Sequence, residues 1–239
     1  MVSTRRFGQM SPTPVVIVTL VVLLIMYLVT GFAPRVIPSA GSWYETLSLD
    51  ADGVVHHGEV WRLLTYGLIH DLRQPTHLLF NAMWLFFFGR DLELRFGRTR
   101  FIAFLLAAVV VGGLFVVGGW ALGIGSGSCL GFSAACEACV VAWALWNRNA
   151  TVNLFFAFPI RGIWLLAFSV VMWMLDAVSQ SQISASAHFG GIIFGVVVWF
   201  LGTRRNRIRL FVDELLMKLR LRRGPKLTVV PRHPDRWVN

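Results

Sequence analysis

Apolar residues along the chain gather into six long runs separated by polar segments. A helix that crosses a bilayer needs about 20 such residues, and about 17 suffice where the bilayer adapts. The second run is the weakest, because its apolar core is short and carries His77 and Asn81. The pattern predicts an all-α membrane domain over 15–203 whose spans cover residues 15–33, 77–93, 101–122, 131–147, 154–175 and 187–203.

Composition agrees with a membrane protein. The 239 residues are 56% hydrophobic and 14% charged, with a mean hydropathy of +0.66, whereas soluble domains carry about a quarter charged residues. Most of the net charge of +10 lies from Arg204 onward, where eleven Lys and Arg residues face three acids. A basic tail beside apolar spans fits anionic lipid rather than nucleic acid. The three cysteines, all within 129–139, indicate no disulfide framework.

The distribution of Lys and Arg predicts the orientation in the membrane. With six spans both termini share a side, and that side holds nineteen of these residues against three on the other. Because Lys and Arg accumulate in cytoplasmic segments, we expect residues 1–14 and the basic tail to be cytoplasmic. The long loop after the first span is then extracytoplasmic.

The segment after the sixth span also has a helical pattern. We interpret 204–223 as an amphipathic interfacial helix on the inner leaflet, with a partly ordered basic tail as the alternative. Residues 224–239, which include three prolines, are expected to form a basic flexible tail. The apolar positions of the predicted helix are Ile208, Phe211, Val212, Leu215, Leu216 and Leu219.

Polar side chains fall near the outer ends of spans two, four and six. Polar groups inside spans are costly, so each is a functional hypothesis. An imidazole such as His188 can take the proton of a serine such as Ser133, and His77, Asn81 and the Ser133 backbone N–H can donate to an oxyanion. Each residue also has a plainer interpretation as packing, capping or structural polar group.

Small residues predict that two of these spans approach closely. The sixth carries Gly191-x-x-x-Gly195 just after its histidine, and the fourth carries Gly131 and Ala134 beside its serine. Such faces let helix backbones touch. We therefore expect the serine hydroxyl within about 2.6–3.2 Å of the imidazole.

The ordered set of motifs resembles the rhomboid family of intramembrane serine proteases. The resemblance covers about 59–203. It rests on Glu59-Val-Trp-Arg62, Thr65, His70, His77-x-x-x-Asn81, Gly89, Glu93, Gly97, Gly131-Phe-Ser133-Ala and Ala187-His188-Phe-Gly-Gly191-x-x-x-Gly195. It implies a rhomboid-like six-transmembrane helix bundle with a long first extracytoplasmic loop and a basic cytoplasmic tail.

The resemblance also implies roles for individual residues. Ser133 would be the nucleophile and His188 the general base of a dyad, with an oxyanion hole of His77, Asn81 and the Ser133 backbone. Trp61 and Arg62 would lie in the first loop, partly in the outer leaflet. No cofactor or metal is implied.

The same resemblance implies the partners and the location. Substrates would be transmembrane proteins with small residues near the scissile bond, cut near the outer face. The partner is the lipid bilayer, with no nucleic acid. A six-span chain of this kind is typical of the bacterial cytoplasmic membrane.

Three positions depart from the family pattern. Ala134 follows the serine where a glycine is usual, and the interval from His70 to His77 is longer than is common. Glu137 stands where many members have an aromatic residue. It could hydrogen-bond His188 in a Ser–His–Glu arrangement, or it could be a neutral buried acid.

Two other functions stay open. Ala134 and Glu137 would suit a catalytically impaired rhomboid-like protein that binds transmembrane helices in quality control or as a chaperone. A transporter or proton-coupled channel could use His77, Glu137 and His188, although the inner halves of the spans carry almost no charge.

Overall fold

The computed structural model describes residues 12–37, 41–154, 158–178 and 185–222. Residues 1–11 of the predicted cytoplasmic segment 1–14, and the whole predicted tail 224–239, lie outside them. The fold is mainly helical, and its longer helices are α1 (Pro14–Val36), α5 (Pro75–Trp84), α6 (Arg90–Phe96), α7 (Arg98–Ala121), α8 (Ser133–Trp146), α9 (Gly162–Val178) and α10 (Ala185–Arg222).

Within the described residues, three helices are long and apolar enough to cross a membrane: Pro14–Val36, Arg98–Ala121 and Ala185–Arg204. Two more apolar helices, Ser133–Trp146 and Gly162–Leu175, are shorter. The mainly helical class predicted from the sequence is confirmed. The count of six spans stays a prediction, because the second, fourth and fifth rest on shorter or interrupted helices.

The second expected span, 77–93, is one helical run with a wide turn in its middle. Helix α5 ends at Trp84, a π-helical turn covers Leu85–Gly89, and α6 continues to Phe96. The N–H of Leu85 is shared between the carbonyls of Ala82 and Asn81. At the far end the Glu93 carboxylate accepts hydrogen bonds from the N–H groups of Val15 and Val16, which caps the start of α1.

The fifth expected span, 154–175, starts later in the structure. Residues Thr151–Leu154 and Phe158–Arg161 form antiparallel strands β3 and β4, and α9 begins only at Gly162. Hydropathy does not separate the apolar residues of a hairpin from those of the helix that follows, so the sequence pattern placed the start too early.

The first loop is built from short helices, and a strand pairing connects it to the segment just before α8. It contains α2 (Gly41–Leu47), α3 (Ala51–His56), α4 (Arg62–Thr65) and a 3₁₀ turn (Tyr66–Leu68). Strand β1 (Leu49–Asp50) pairs with β2 (Ser128–Cys129), which lies just before the α8 N-terminus. This ladder joins the loop to the segment that carries the serine.

The chain divides into two units, Met1–Trp199 and Phe200–Asn239. Within the second unit α10 continues to Arg222, so the described part of the expected interfacial segment is helical. Its place on the inner leaflet stays a prediction. The guanidinium of Arg204 lies 5.5 Å from the centre of the Phe200 ring.

Helix α8 lies at the centre of the larger unit. It packs against α5, α6, α7 and α9, and every residue from Ser133 to Leu145 is buried except Glu137. Several of the buried positions are alanine, which lets neighbouring helices come close. The helix thus holds its first residue, Ser133, inside the protein rather than at its surface.

Candidate active site

The segment that precedes Ser133 is a sharp turn fixed from the first loop. Gly131 has φ +112°, a conformation that favours glycine, and its N–H donates to the carbonyl of Tyr66 at 2.9 Å. Tyr66 is itself anchored, because its buried hydroxyl donates to the carbonyl of Val109 at 2.7 Å. The turn delivers the chain into α8, whose first residue is Ser133, 7% exposed.

The ring of His77 lies against this turn. A Cβ on Gly131 would be 2.5 Å from Cε1 and 2.7 Å from Nε2 of His77, so only glycine leaves room for the imidazole. His77 lies in the first turn of α5, whereas Gly131 is two residues before the serine. The structure therefore brings His77 of span two against the turn that precedes the predicted nucleophile of span four.

Asn81 is one helical turn beyond His77 and is 3% exposed. Its carboxamide nitrogen lies 3.1 Å from Nε2 of His70, and its main-chain carbonyl accepts a hydrogen bond from the Cys136 thiol at 3.2 Å. The residue is thus held at both ends, by the first loop and by α8.

His70 is a residue of this site whose role the sequence patterns do not predict. Its side chain is fully buried, its ring centre lies 5.3 Å from that of His77, and its Nε2 accepts a hydrogen bond from the Phe132 N–H at 3.4 Å. Burial, with His77 beside it, lowers the pKa of His70 to about 3. In the sequence His70 belongs to the ordered motif set that resembles the rhomboid family, but no role at the site follows from its place in that set.

Helix α10 approaches α8 through its glycines. Gly191 lies against the carbonyl of Ala134, and a Cβ on Gly195 would be 2.9 Å from the carbonyl oxygen of Ala138. His188 is three residues before Gly191 and half-buried, so it stands on the same helix face, close to the level of the serine. A hydrogen bond between Ser133 and His188 stays a prediction.

The remaining predicted residues lie around this centre. Glu137, one turn beyond the serine on α8, is half-buried, and its role stays a prediction. Arg62 is bound by the Glu59 carboxylate at 2.6 Å and donates to the carbonyls of Glu45 and Ser48. Trp61 is 47% exposed on the loop surface. The part of the chain that the structure describes has no cluster of His, Cys, Asp or Glu arranged for a metal ion.

Fold and site together define a multi-pass helical membrane protein with a serine at the N-terminus of a buried central helix. Two histidines and an asparagine surround the turn before that serine. Residues 57–205 match the family profile of the rhomboid domain. The chain belongs to the rhomboid family.

Relatives in bacteria carry the same family name. The chain is similar to a rhomboid protease GlpG of Photorhabdus laumondii, 29% identical over 150 residues, covering 59% of this chain and 47% of the relative. It is similar to rhomboid protease GlpG of Yersinia pestis and of Yersinia pseudotuberculosis, each 26% identical over 151 residues, covering 62% of this chain and 50% of the relative. The chain spans about half the length of these curated relatives.

Proposed function

We propose that this protein is an intramembrane serine endopeptidase that cuts transmembrane segments of membrane proteins near the outer membrane face. In this proposal both termini are cytoplasmic, and the site opens toward the extracytoplasmic side of a bacterial cytoplasmic membrane. Substrates are membrane proteins whose helices carry small residues near the scissile bond. Two features support the proposal: membership of the rhomboid family and similarity to proteins named rhomboid proteases.

The proposed chemistry needs a dyad. His188 takes the proton from Ser133 Oγ as the oxygen attacks the substrate carbonyl carbon. The negative charge that develops on the carbonyl oxygen is stabilised by hydrogen bonds from His77, Asn81 and the Ser133 N–H. His188 then gives its proton to the leaving amine, and a serine ester remains. A water molecule, deprotonated by His188, hydrolyses this ester and restores the serine.

The observation that carries the proposal is the turn from Gly131 to Ser133. The turn is held by Tyr66, contacted by the His77 ring, and followed by a helix whose first amides have no intrahelical acceptor. The His77 ring of α5 therefore lies beside the turn that leads into the first amides of α8. Such preorganised donors are what an acyl-transfer site needs before substrate arrives.

The test is cleavage of a model transmembrane substrate by the full chain in liposomes. We expect the wild type to cleave it and the variants Ser133→Ala and His188→Ala to have no measurable activity. Asn81→Ala should lower kcat about 10²–10³-fold, because one oxyanion donor is lost. A serine-directed fluorophosphonate should label the wild type and not Ser133→Ala. Cleavage by Ser133→Ala at the wild-type rate would overturn the proposal.

A second function is favoured by two departures from the family motif. Ala134 adds a methyl group where the helices are crowded, since a Cβ on Gly112 would be 2.5 Å from the Ala134 Cβ. Glu137 places a carboxyl one turn beyond the serine. Both would suit a protein that binds transmembrane helices without cutting them. Co-purification of an uncut substrate with the wild type, with no fluorophosphonate label, would favour this alternative.

A further inference from the structure

We infer that His70 is a positioning residue of the proposed oxyanion hole, holding the Asn81 carboxamide with its N–H groups toward the site and fixing the turn before Ser133. The inference rests on the proposed function. His70 belongs to the first loop and is neither the proposed nucleophile nor the proposed base. It acts through two hydrogen bonds that converge on one ring atom, Nε2.

The tautomer of His70 follows from one of these contacts. The Phe132 backbone N–H can only donate, and it is directed at Nε2 of His70 at 3.4 Å. The Nε2 atom must therefore be the unprotonated acceptor, so a neutral ring carries its proton on Nδ1. Full burial next to the ring of His77 disfavours a second proton, in keeping with the low pKa of His70.

An acceptor at Nε2 decides which way the Asn81 amide faces. The Asn81 atom 3.1 Å away must donate, so it is the NH₂ group and not the carbonyl oxygen. The NH₂ group has two N–H bonds, and only one is used by His70. The other points away at the trigonal angle, where it can serve an oxyanion. In the flipped amide, a carbonyl oxygen would face the Nε2 lone pair and would repel the oxyanion.

The second hydrogen bond of His70 holds the turn that precedes the nucleophile, Ser133. Of three consecutive amides in the turn, that of Gly131 donates to the Tyr66 carbonyl and that of Phe132 donates to His70. The third amide, that of Ser133, belongs to the first helical turn, where N–H groups have no intrahelical acceptor. One imidazole thus links the donor on α5 to the turn that sets the direction of the Ser133 N–H.

The main chain and the side chain of Asn81 are held by different residues. Its main-chain carbonyl is held by the Cys136 thiol, which fixes the helix but leaves the side-chain amide free to rotate. His70 supplies the acceptor that removes this freedom. His70 lies in the loop between the 3₁₀ turn and α5. Its replacement should therefore disturb the orientation of the Asn81 side-chain amide more than the packing of the spans.

The experiment compares variants of the full chain in liposomes with a model transmembrane substrate. His70→Gln can place its side-chain oxygen near the Nε2 position, whereas the shorter His70→Asn cannot. We expect His70→Asn to lower kcat about 10–10²-fold with KM within about twofold, and His70→Gln to recover most of the rate. Ile69→Val, a neighbouring fully buried position, controls for loss of packing and should keep the wild-type kcat.

Two results would overturn the inference. The first is the same kcat, at matched thermal stability, for His70→Gln, His70→Asn and Ile69→Val. His70 would then have no positioning role. The second measurement needs no activity: ¹⁵N chemical shifts of labelled histidine should report His70 as the neutral Nδ1–H tautomer between about pH 5 and 8. A protonated ring or the Nε2–H tautomer would contradict it. Failure of the proposed function is recognised separately, as cleavage that survives Ser133→Ala.

Discussion

Gly191 of α10 packs directly on the main-chain carbonyl of Ala134 in α8, with no side chain between them. Gly195 repeats the contact one turn later at Ala138. The two helices therefore meet backbone to backbone along one stripe. Because Ala134 follows the serine and Gly191 is one turn after His188, this separation controls the distance that the proposed dyad must cover.

Gly191→Ala should separate the two helices. The atom in the way is a backbone oxygen, which cannot rotate aside, so we expect a loss of about 1–3 kcal/mol in stability and a large loss of kcat. The measurement is thermal unfolding in detergent together with substrate cleavage. The matched control is Gly118→Ala in α7, where no described atom lies within 4 Å of the new Cβ.

The control variant should keep full activity, and its stability should stay the same or rise by about 0.5–1 kcal/mol, as for a helical glycine replaced by alanine. If Gly191→Ala and Gly118→Ala behave alike, the backbone contact does not set the position of α10.

Gly131→Ala should damage the site in two ways. Its φ of +112° is strained for alanine, and the new methyl group would overlap the His77 ring. We expect lower stability and a loss of kcat, measured on the same unfolding and cleavage assays. Gly123→Ala isolates the strain, because Gly123 also has a positive φ, +72°, and no described atom lies within 4 Å of its Cβ position.

The strain alone should cost about 1–2 kcal/mol at Gly123 and leave kcat unchanged. Loss of kcat at Gly123 equal to that at Gly131 would argue that backbone strain, and not contact with His77, explains the effect.

Much of the fold follows from hydropathy, and parts of the site do not. The apolar runs and the glycine spacing identify the helices and the α8–α10 contact, because these depend on residue type and period. The position of His70 depends on how the loop folds back over Phe132, and no periodic pattern encodes that path. Hydropathy also does not separate the paired strands Thr151–Leu154 and Phe158–Arg161 from the helix after them.

Because of His70, the folded protein should become less stable as the pH falls. The pKa of His70 is lowered from 6.5 to about 3 in the folded protein, so the unfolded chain takes up a proton first as the pH falls. The contribution is complete above about pH 6.5 and is lost as the pH falls toward about 3. We expect unfolding in mixed micelles to need about 2 kcal/mol less at pH 5 than at pH 7 from this group.

The matched comparison is His70→Gln, which has no titrating ring at this position. Its unfolding free energy should vary less between pH 7 and pH 5 than that of the wild type. The same pH dependence in both proteins would show that other groups cause it.

Glu137→Gln should keep kcat within a few-fold of the wild type, because the proposed dyad needs no acid. The carboxamide has nearly the same shape as the carboxyl group and can keep its hydrogen bonds. The measurement is kcat on the transmembrane substrate, with Ser133→Ala as the inactive control. A loss approaching 10⁴-fold would instead make Glu137 the third member of a triad.

The wide turn at Leu85–Gly89 has a consequence for the whole second helical run. One extra residue in a turn rotates everything after it by about 100° around the helix axis. The run can therefore present His77 and Asn81 to α8 at one end and direct Glu93 to the amides of α1 at the other. Deleting one residue here would leave the run apolar but would turn Glu93 away from the amides of α1 while His77 and Asn81 still faced α8.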